Sequence, residues 1–259
     1  MLRKYQLLNE KESIENLNTL PDSPFDDLPE FYHQSLHWPY RQYLEIPTIK
    51  NLLGNLTGRT VLDFGCGPGS LSREFKAMGA KEVMGYDISK GMLNYARQQE
   101  KNAPLDIEYL SYIPLCYQQY FDVVIAIYPM VCMKDRYELE SMIFHISSLL
   151  KCGGKLITLV LNTELNNTPN FYQPYGFNLF DESPRKDGSI TRIQLGHFPE
   201  EKSFPICYWF TETLNKIFRS AGLDEAKKEI LIPPPLKHLD HLQNYISYPH
   251  VDILTTIKK

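Results

Sequence analysis

The stretch Val61-Leu-Asp63-Phe-Gly65-Cys-Gly67-Pro-Gly69 constrains this chain more than any other part of it. A short apolar run from Thr60 reads as a strand and meets three glycines. Leu71, Phe75 and Met78 then recur at helical spacing, with Gly79 to end the helix. Glycines between a strand and a helix let backbone N–H groups approach a ligand with no Cβ in the way. A phosphate-binding P-loop needs Lys and Ser/Thr after its last glycine, and no Lys follows here. A dinucleotide turn wants G-x-G-x-x-G, but the third glycine falls at 69 and Ser70 stands where that motif has Gly. What remains is D-x-G-x-G-x-G, led by Asp63. Such a loop suits a ligand without pyrophosphate but with a cationic amino-acid part.

The alternation continues from there. Glu82 to Asp87 is a second strand, and Ser89 is placed to cap a helix from Lys90 to about Glu100, with Met92 and Ala96 inward. Asp106–Leu110 is a third strand. Phe121–Ile127 is a fourth, continuously apolar as befits a strand covered on both faces. Leu139, Met142, Ile143, Ile146 and Leu149 make a helix stripe, and a Lys151-Cys-Gly-Gly154 turn leads into a fifth strand over 155–161. This predicts an α/β fold with a doubly wound, mostly parallel sheet and right-handed crossovers. Asp87 ends the second strand, where a carboxylate can accept hydrogen bonds from both hydroxyls of a ribose and disfavour a phosphorylated one. Strand, glycines, acid and alternation together predict a nucleoside-type cofactor.

The ends of the chain differ in character. Residues 1–58 read as a helical, aromatic-rich lead-in, and 162–208 as a long irregular connection that caps a site. A helix over 211–222 follows, then two closing strands at 229–232 and 251–257. Net charge is −4 with a pI near 6.0, so no basic field for nucleic acid is supplied. The five cysteines are scattered, with no C-x-x-C pair, which predicts a reducing compartment, no metal site, and small core hydrophobes apart from Cys66 in the loop. No apolar run is long enough to cross a bilayer, and a cytoplasmic protein is expected.

The successive motifs at 61–69, 85–92 (Gly-Tyr-Asp-Ile-Ser-Lys-Gly-Met), 120–125 and 149–155 resemble those of class I S-adenosylmethionine-dependent methyltransferases. The resemblance implies a Rossmann-like seven-stranded sheet with helices on both faces, the last strand antiparallel. It implies one domain, with an N-terminal lid (1–58), a cofactor-binding core (59–162), a cap insertion (163–208) and a C-terminal helix with closing strands (209–259). Tyr32, the stretch 40–48, Tyr175-Gly-Phe177 and Tyr208-Trp-Phe-Thr211 are further similar to small-molecule methyltransferases of the toxoflavin-biosynthesis type.

Carried over by position, the family implies that Gly65, Cys66 and Gly67 line the methionine part of the cofactor, with Asp63 under its amino group. Asp87 would hold the ribose, Ile88 and Met92 flank the adenine, and Tyr128 lie beside the sulfonium. Tyr32 and Arg41 would close over the cofactor, Arg41 near its carboxylate. The family's acid after the third strand is missing from Leu110-Ser-Tyr-Ile-Pro114, so Ser111 or backbone groups must serve the adenine.

The expected activity is methyl transfer by in-line displacement to a nitrogen or acidic oxygen of a small molecule, by a monomer or homodimer. A nucleic-acid or protein methyltransferase, and a non-catalytic cofactor-binding scaffold, are the alternatives. Ile127-Tyr-Pro-Met130 lacks the Asp/Asn-Pro-Pro-Tyr/Phe clamp for planar amines, which counts against DNA or protein-glutamine methylation. No general base stands out. Tyr128, His33 and His197 are positional candidates, His145 is read as structural or solvated, and His238, His241 and His250 as surface residues. Trp38 and Phe171-Tyr172 either line an aromatic pocket or fasten the cap.

Overall fold

The computed structural model describes residues 22–196, 202–233 and 236–259, and alternation along five consecutive strands accounts for its centre. Two helices, α1 (Pro29–Ser35) and α2 (Ile46–Leu53), flank a π-helical turn at Arg41–Glu45 and precede the sheet. Strands β1 (Thr60–Phe64), β2 (Glu82–Tyr86), β3 (Ile107–Leu110), β4 (Phe121–Ala126) and β5 (Leu150–Leu161) pair in parallel. Helices α3 (Ser70–Ala77), α4 (Lys90–Asn102) and α5 (Arg136–Leu149) connect them.

Period-two alternation sorts side chains to the two faces. Leu62, Phe64, Val124, Ala126, Leu156 and Val160 pack with Leu139, Ile143 and Ile146 of α5. Val61, Val123, Ile125, Ile157 and Leu159 pack with α2, α3 and α4 through Ile49, Phe75 and Leu93. Both faces are therefore covered by helices. The capping serine is as expected: Ser89 Oγ accepts from Met92 N at 3.2 Å.

Three further strands form a separate antiparallel sheet: β6 (Phe177–Asp181), β7 (Ile190–Leu195) and β8 (Lys202–Cys207). This corrects the expectation of an irregular cap. Phe177, Leu195, Phe204 and Ile206 turn inward from these strands onto Leu44, Val131 and Leu161, and the alternation is short and interrupted enough to read as isolated apolar residues.

After α6 (Thr211–Ser220) the central sheet is completed by β9 (Lys227–Lys228) and β10 (Val251–Ile257), with α7 (Leu236–Ser247) between them. Strand order is β3-β2-β1-β4-β5-β10-β9, and β10 runs antiparallel to β5. The sixth strand thus falls at 227–228 rather than 229–232. Ile230 is 90% exposed and Ile232 N donates to Thr48 Oγ1 of α2 at 2.9 Å, so the chain has already left the sheet there. Among the described residues no helix is long and apolar enough to cross a membrane.

Candidate active site

In a doubly wound sheet a ligand crevice opens at the carboxyl ends of the strands where the connections diverge. Here that point lies between β1 and β4, and the loops that follow both strands converge on it.

The glycine loop is tied to the end of β2. Gly65 N and Cys66 N donate to Tyr86 O at 2.7 and 2.9 Å, and Gly67 N donates to Asp87 Oδ2 at 2.7 Å. Ser89 N donates to the other Asp87 oxygen at 2.9 Å. Burial pushes the Asp87 carboxyl above its usual range, and these backbone donors oppose that. The glycines have different reasons to be there. A Cβ on Gly69 would come within 2.5 Å of the Tyr109 hydroxyl, so that glycine makes room for the protein. Gly67 has φ +54, and a Cβ there would meet only Met92 Sδ at 3.8 Å. Space is left open beside Asp87.

Beneath the loop lies Asp63, 2% exposed, which accepts from Ser72 Oγ at 2.6 Å. Burial pushes its carboxyl up to about 7. Ile88 projects outward at 56% exposure, Met92 is buried, and Ser111 is half-buried just after β3.

At the end of β4, Tyr128 has φ +72, a left-handed conformation that is unusual for a bulky side chain and costs about 1–3 kcal/mol. Its hydroxyl donates to both oxygens of Glu45, at 2.8 and 2.9 Å. Glu45 is 1% exposed, and Arg41 Nε stands 3.5 Å from its Oε2. Arg41 also donates to Ser35 Oγ at 2.7 Å and lies 5.6 Å from the centre of the Tyr128 ring. Its buried Nε has no hydrogen-bond partner among the described residues. Burial pushes the Glu45 carboxyl up, while Arg41 and the two phenols of Tyr128 and Tyr245 pull it down. The Tyr245 hydroxyl donates to Glu45 Oε1 at 3.3 Å and lies 2.8 Å from His250 Nδ1. His250 is 2% exposed, and burial together with Arg41 lowers its imidazole to about 3.

Ser35, Arg41, Tyr128 and His250 border a cavity of about 70 Å³. Tyr32, Ser35, Trp38 and Arg41 line it from the lead-in, Tyr128 and Cys132 from the end of β4, and Ile193, Phe204 and Ile206 from the antiparallel sheet. His250 completes the wall, and apart from Ser35, Arg41 and His250 the lining is apolar or aromatic.

Asp63, Gly65, Cys66, Gly67, Asp87 and Met92 are thus gathered at one loop, and Tyr32, Arg41 and Tyr128 beside it. His33 is exposed, with Nδ1 2.7 Å from Ser70 Oγ at the start of α3, and does not line the cavity. His197 lies outside the described residues. The expectation that His250 is a surface residue is corrected: α7 and the cap bury it among Tyr40, Phe177 and Tyr245. His241 and His145 are exposed. Trp38 lines the cavity, whereas Tyr172 fastens the cap, its hydroxyl donating to Tyr248 O at 2.9 Å. All five cysteines are free, but Cys116 and Cys152 are exposed rather than core residues. The sequence by itself assigns no site role to Glu45, Tyr245 or His250. The one local signal was the spacing of Arg41 and Glu45, four apart on a helical turn.

Residues 61–154 match a protein family described as a methyltransferase domain. Among curated relatives, the ubiquinone biosynthesis O-methyltransferase of Pseudoalteromonas translucida is 32% identical over 136 residues, covering 50% of this chain and 53% of its own length. The ribosomal protein L11 methyltransferase of Aliivibrio salmonicida is 31% identical over 121 residues, covering 46% and 39%. This chain therefore spans about half the length of such relatives, or less. A solved S-adenosylmethionine-dependent methyltransferase from Mesorhizobium loti superposes with a TM-score of 0.58 at 15% identity, covering 86% of this chain and all of that one. The chain has the fold of S-adenosylmethionine-dependent methyltransferases, with helices on both faces of a seven-stranded sheet whose strand β10 is antiparallel.

Proposed function

We propose that this chain is an S-adenosylmethionine-dependent methyltransferase acting on a small, largely apolar molecule. The observation that carries the reading is the juxtaposition of two spaces: the open face of Gly67 beside Asp87, and the cavity that Tyr128 lines. The first fits the cofactor. Gly65, Cys66 and Gly67 offer a wall without side-chain obstruction, Asp63 an acid for the amino group, and Asp87 an acid for the ribose. Ile88 and Met92 would flank the adenine, with Ser111 in reach of its edge. The bound cofactor supplies a methyl group on a sulfonium.

The protein's own work is then alignment. Holding a nucleophile in line with the methyl contributes on the order of 7–11 kcal/mol, and this requires a pocket that excludes water and fixes the acceptor. The lead-in and the antiparallel sheet provide such walls, which supports a lid role for 22–58 and a cap role for 163–196 and 202–208. The small volume and apolar lining favour a small molecule over a peptide or nucleic acid. The further resemblance to the toxoflavin-biosynthesis type, through Tyr32, 40–48 and Tyr175-Gly-Phe177, belongs with this reading.

Calorimetry with S-adenosylhomocysteine tests the cofactor half, and incubation of methyl-labelled cofactor with metabolite extracts tests the acceptor half. Label appearing only in protein or RNA would overturn the small-molecule reading.

A further inference from the structure

We infer that His250 is the catalytic group that receives the acceptor's proton, and that the acceptor is a small aromatic alcohol methylated on oxygen. This rests on the proposed function and specifies its substrate class.

The argument begins at Glu45. Ionised beside Arg41, the Glu45 carboxylate has no hydrogen to give, so each hydroxyl around it brings one. Tyr128 donates to it at 2.8 and 2.9 Å, and Tyr245 at 3.3 Å. We assign the single Tyr245 proton to Glu45, which leaves the hydroxyl to accept from His250 Nδ1, 2.8 Å away. The ring is then the tautomer with Nδ1–H, and Nε2 carries a bare lone pair. His250 lines the cavity and makes no hydrogen bond through Nε2 among the described residues. A bare lone pair on a residue lining a largely apolar pocket selects a donor, and an acceptor O–H both satisfies it and requires a base. Arg41, on the same wall, favours an oxygen that gains electron density as its proton leaves.

In the reaction the acceptor oxygen lone pair forms the new O–C bond. The C–S bond breaks with its electrons passing to sulfur, the hydroxyl proton moves to Nε2, and the imidazolium returns it to water when the methyl ether leaves. His250 is neutral in the empty pocket because burial and Arg41 oppose its charging. A base this weak takes the proton late, once the oxygen already carries much of the methyl and has become strongly acidic. Tyr245 and Glu45 are positioning residues, holding the tautomer.

The test uses the full chain with 15N-labelled histidine. Nitrogen NMR is expected to give His250 a protonated Nδ1 and a bare Nε2, and the opposite tautomer would overturn the inference. Phenol and toluene, nearly equal in shape, are the binding probes. Phenol should bind about tenfold more tightly, as for one buried hydrogen bond, and His250→Phe should erase the difference. Equal binding of the two by the native protein would overturn the inference. Should His250→Phe not fold, Tyr245→Phe leaves the cavity wall intact and should move the His250 proton toward Nε2. An unchanged tautomer in that variant also overturns the relay. Binding of S-adenosylhomocysteine, measured in parallel, scores the proposed function separately: its absence with the phenol preference intact would sink that reading and spare the hydrogen-bonding assignment.

Discussion

The Tyr128 hydroxyl donates to both carboxylate oxygens of Glu45 across 83 residues of chain, joining the strained end of β4 to the helical turn that precedes the sheet. Arg41 and Tyr245 share that carboxylate, so three groups from three segments depend on one buried charge.

Removing Glu45 should therefore be costly. Glu45→Ala leaves the buried Arg41 cation without its partner, and breaking a buried pair from one side costs about 3–5 kcal/mol. Glu45→Gln keeps a hydrogen-bond acceptor and should cost less. Denaturant unfolding measures both; an alanine variant as stable as the native chain would mean that Arg41 is compensated elsewhere.

That network also marks the limit of what could be read from the sequence. The five parallel strands, the glycine loop, the Ser89 cap and Asp87 are legible because each is local: an apolar period, a set of turn glycines or a capping serine is carried by a few neighbouring residues. The antiparallel sheet was not, since its strands are short and Phe177/Leu179, Ile193/Leu195 and Phe204/Ile206 each show only one repeat of the alternation. The apolar run Ile230-Leu-Ile232 misled in the other direction, because Lys227 and Lys228 take the edge pairing with Thr255 and Leu254. His250 had no local signature at all. Its partners are brought by tertiary packing, with Tyr245 reaching Glu45 across 200 residues.

Asp87 should dominate cofactor affinity. Asp87→Ala removes the acid proposed for the ribose and also the acceptor of Gly67 N and Ser89 N. A loss of roughly 2–4 kcal/mol in S-adenosylhomocysteine binding is expected from charge-assisted bonds. Unchanged affinity in a folded variant would remove Asp87 from the site.

Asp63, as the acid proposed for the cofactor's amino group, should make binding pH-dependent with a definite sign. Its carboxyl titrates near 7 in the folded chain against about 4 when unfolded, so the free protein binds the extra proton between these values and loses that share of stability as pH rises from 4 to 7. A cofactor ammonium beside Asp63 favours the ionised form. Affinity for S-adenosylhomocysteine should climb as pH rises through 7 and level off above it, with proton release below 7. Calorimetry in two buffers of different ionisation enthalpy reads that release directly; its absence, or affinity falling with pH, would detach Asp63 from the amino group.

The charge balance predicts weak association with nucleic acid. With a net charge of −4, binding should be no tighter than the non-specific 10⁻⁴–10⁻⁶ M range and should fall steeply with salt. Salt-resistant nanomolar binding in a polarisation assay would favour a macromolecular acceptor.

One close contact fastens the start of the lead-in to α4. Asp26 Oδ1 accepts from Ser89 Oγ at 2.7 Å and Gly91 N at 3.1 Å, capping α4 two residues beyond Asp87. A Cβ on Gly91 would come within 1.9 Å of Asp26 O, so only glycine permits the approach. The cavity behind this segment holds about 70 Å³, roughly half the ~150 Å³ of an apolar cavity known to accept benzene. The aromatic acceptor inferred above therefore calls for movement of the lead-in or the antiparallel sheet. Cofactor binding should slow amide exchange over residues 28–45, and an acceptor should extend protection into 168–195. Gly91→Ala should do the reverse, speeding exchange over 22–36 in the free protein, because Asp26 loses its seat on α4. Exchange that is indifferent to cofactor and to Gly91→Ala would leave Tyr32 and Arg41 as fixed walls, and entry would have to come from the cap side.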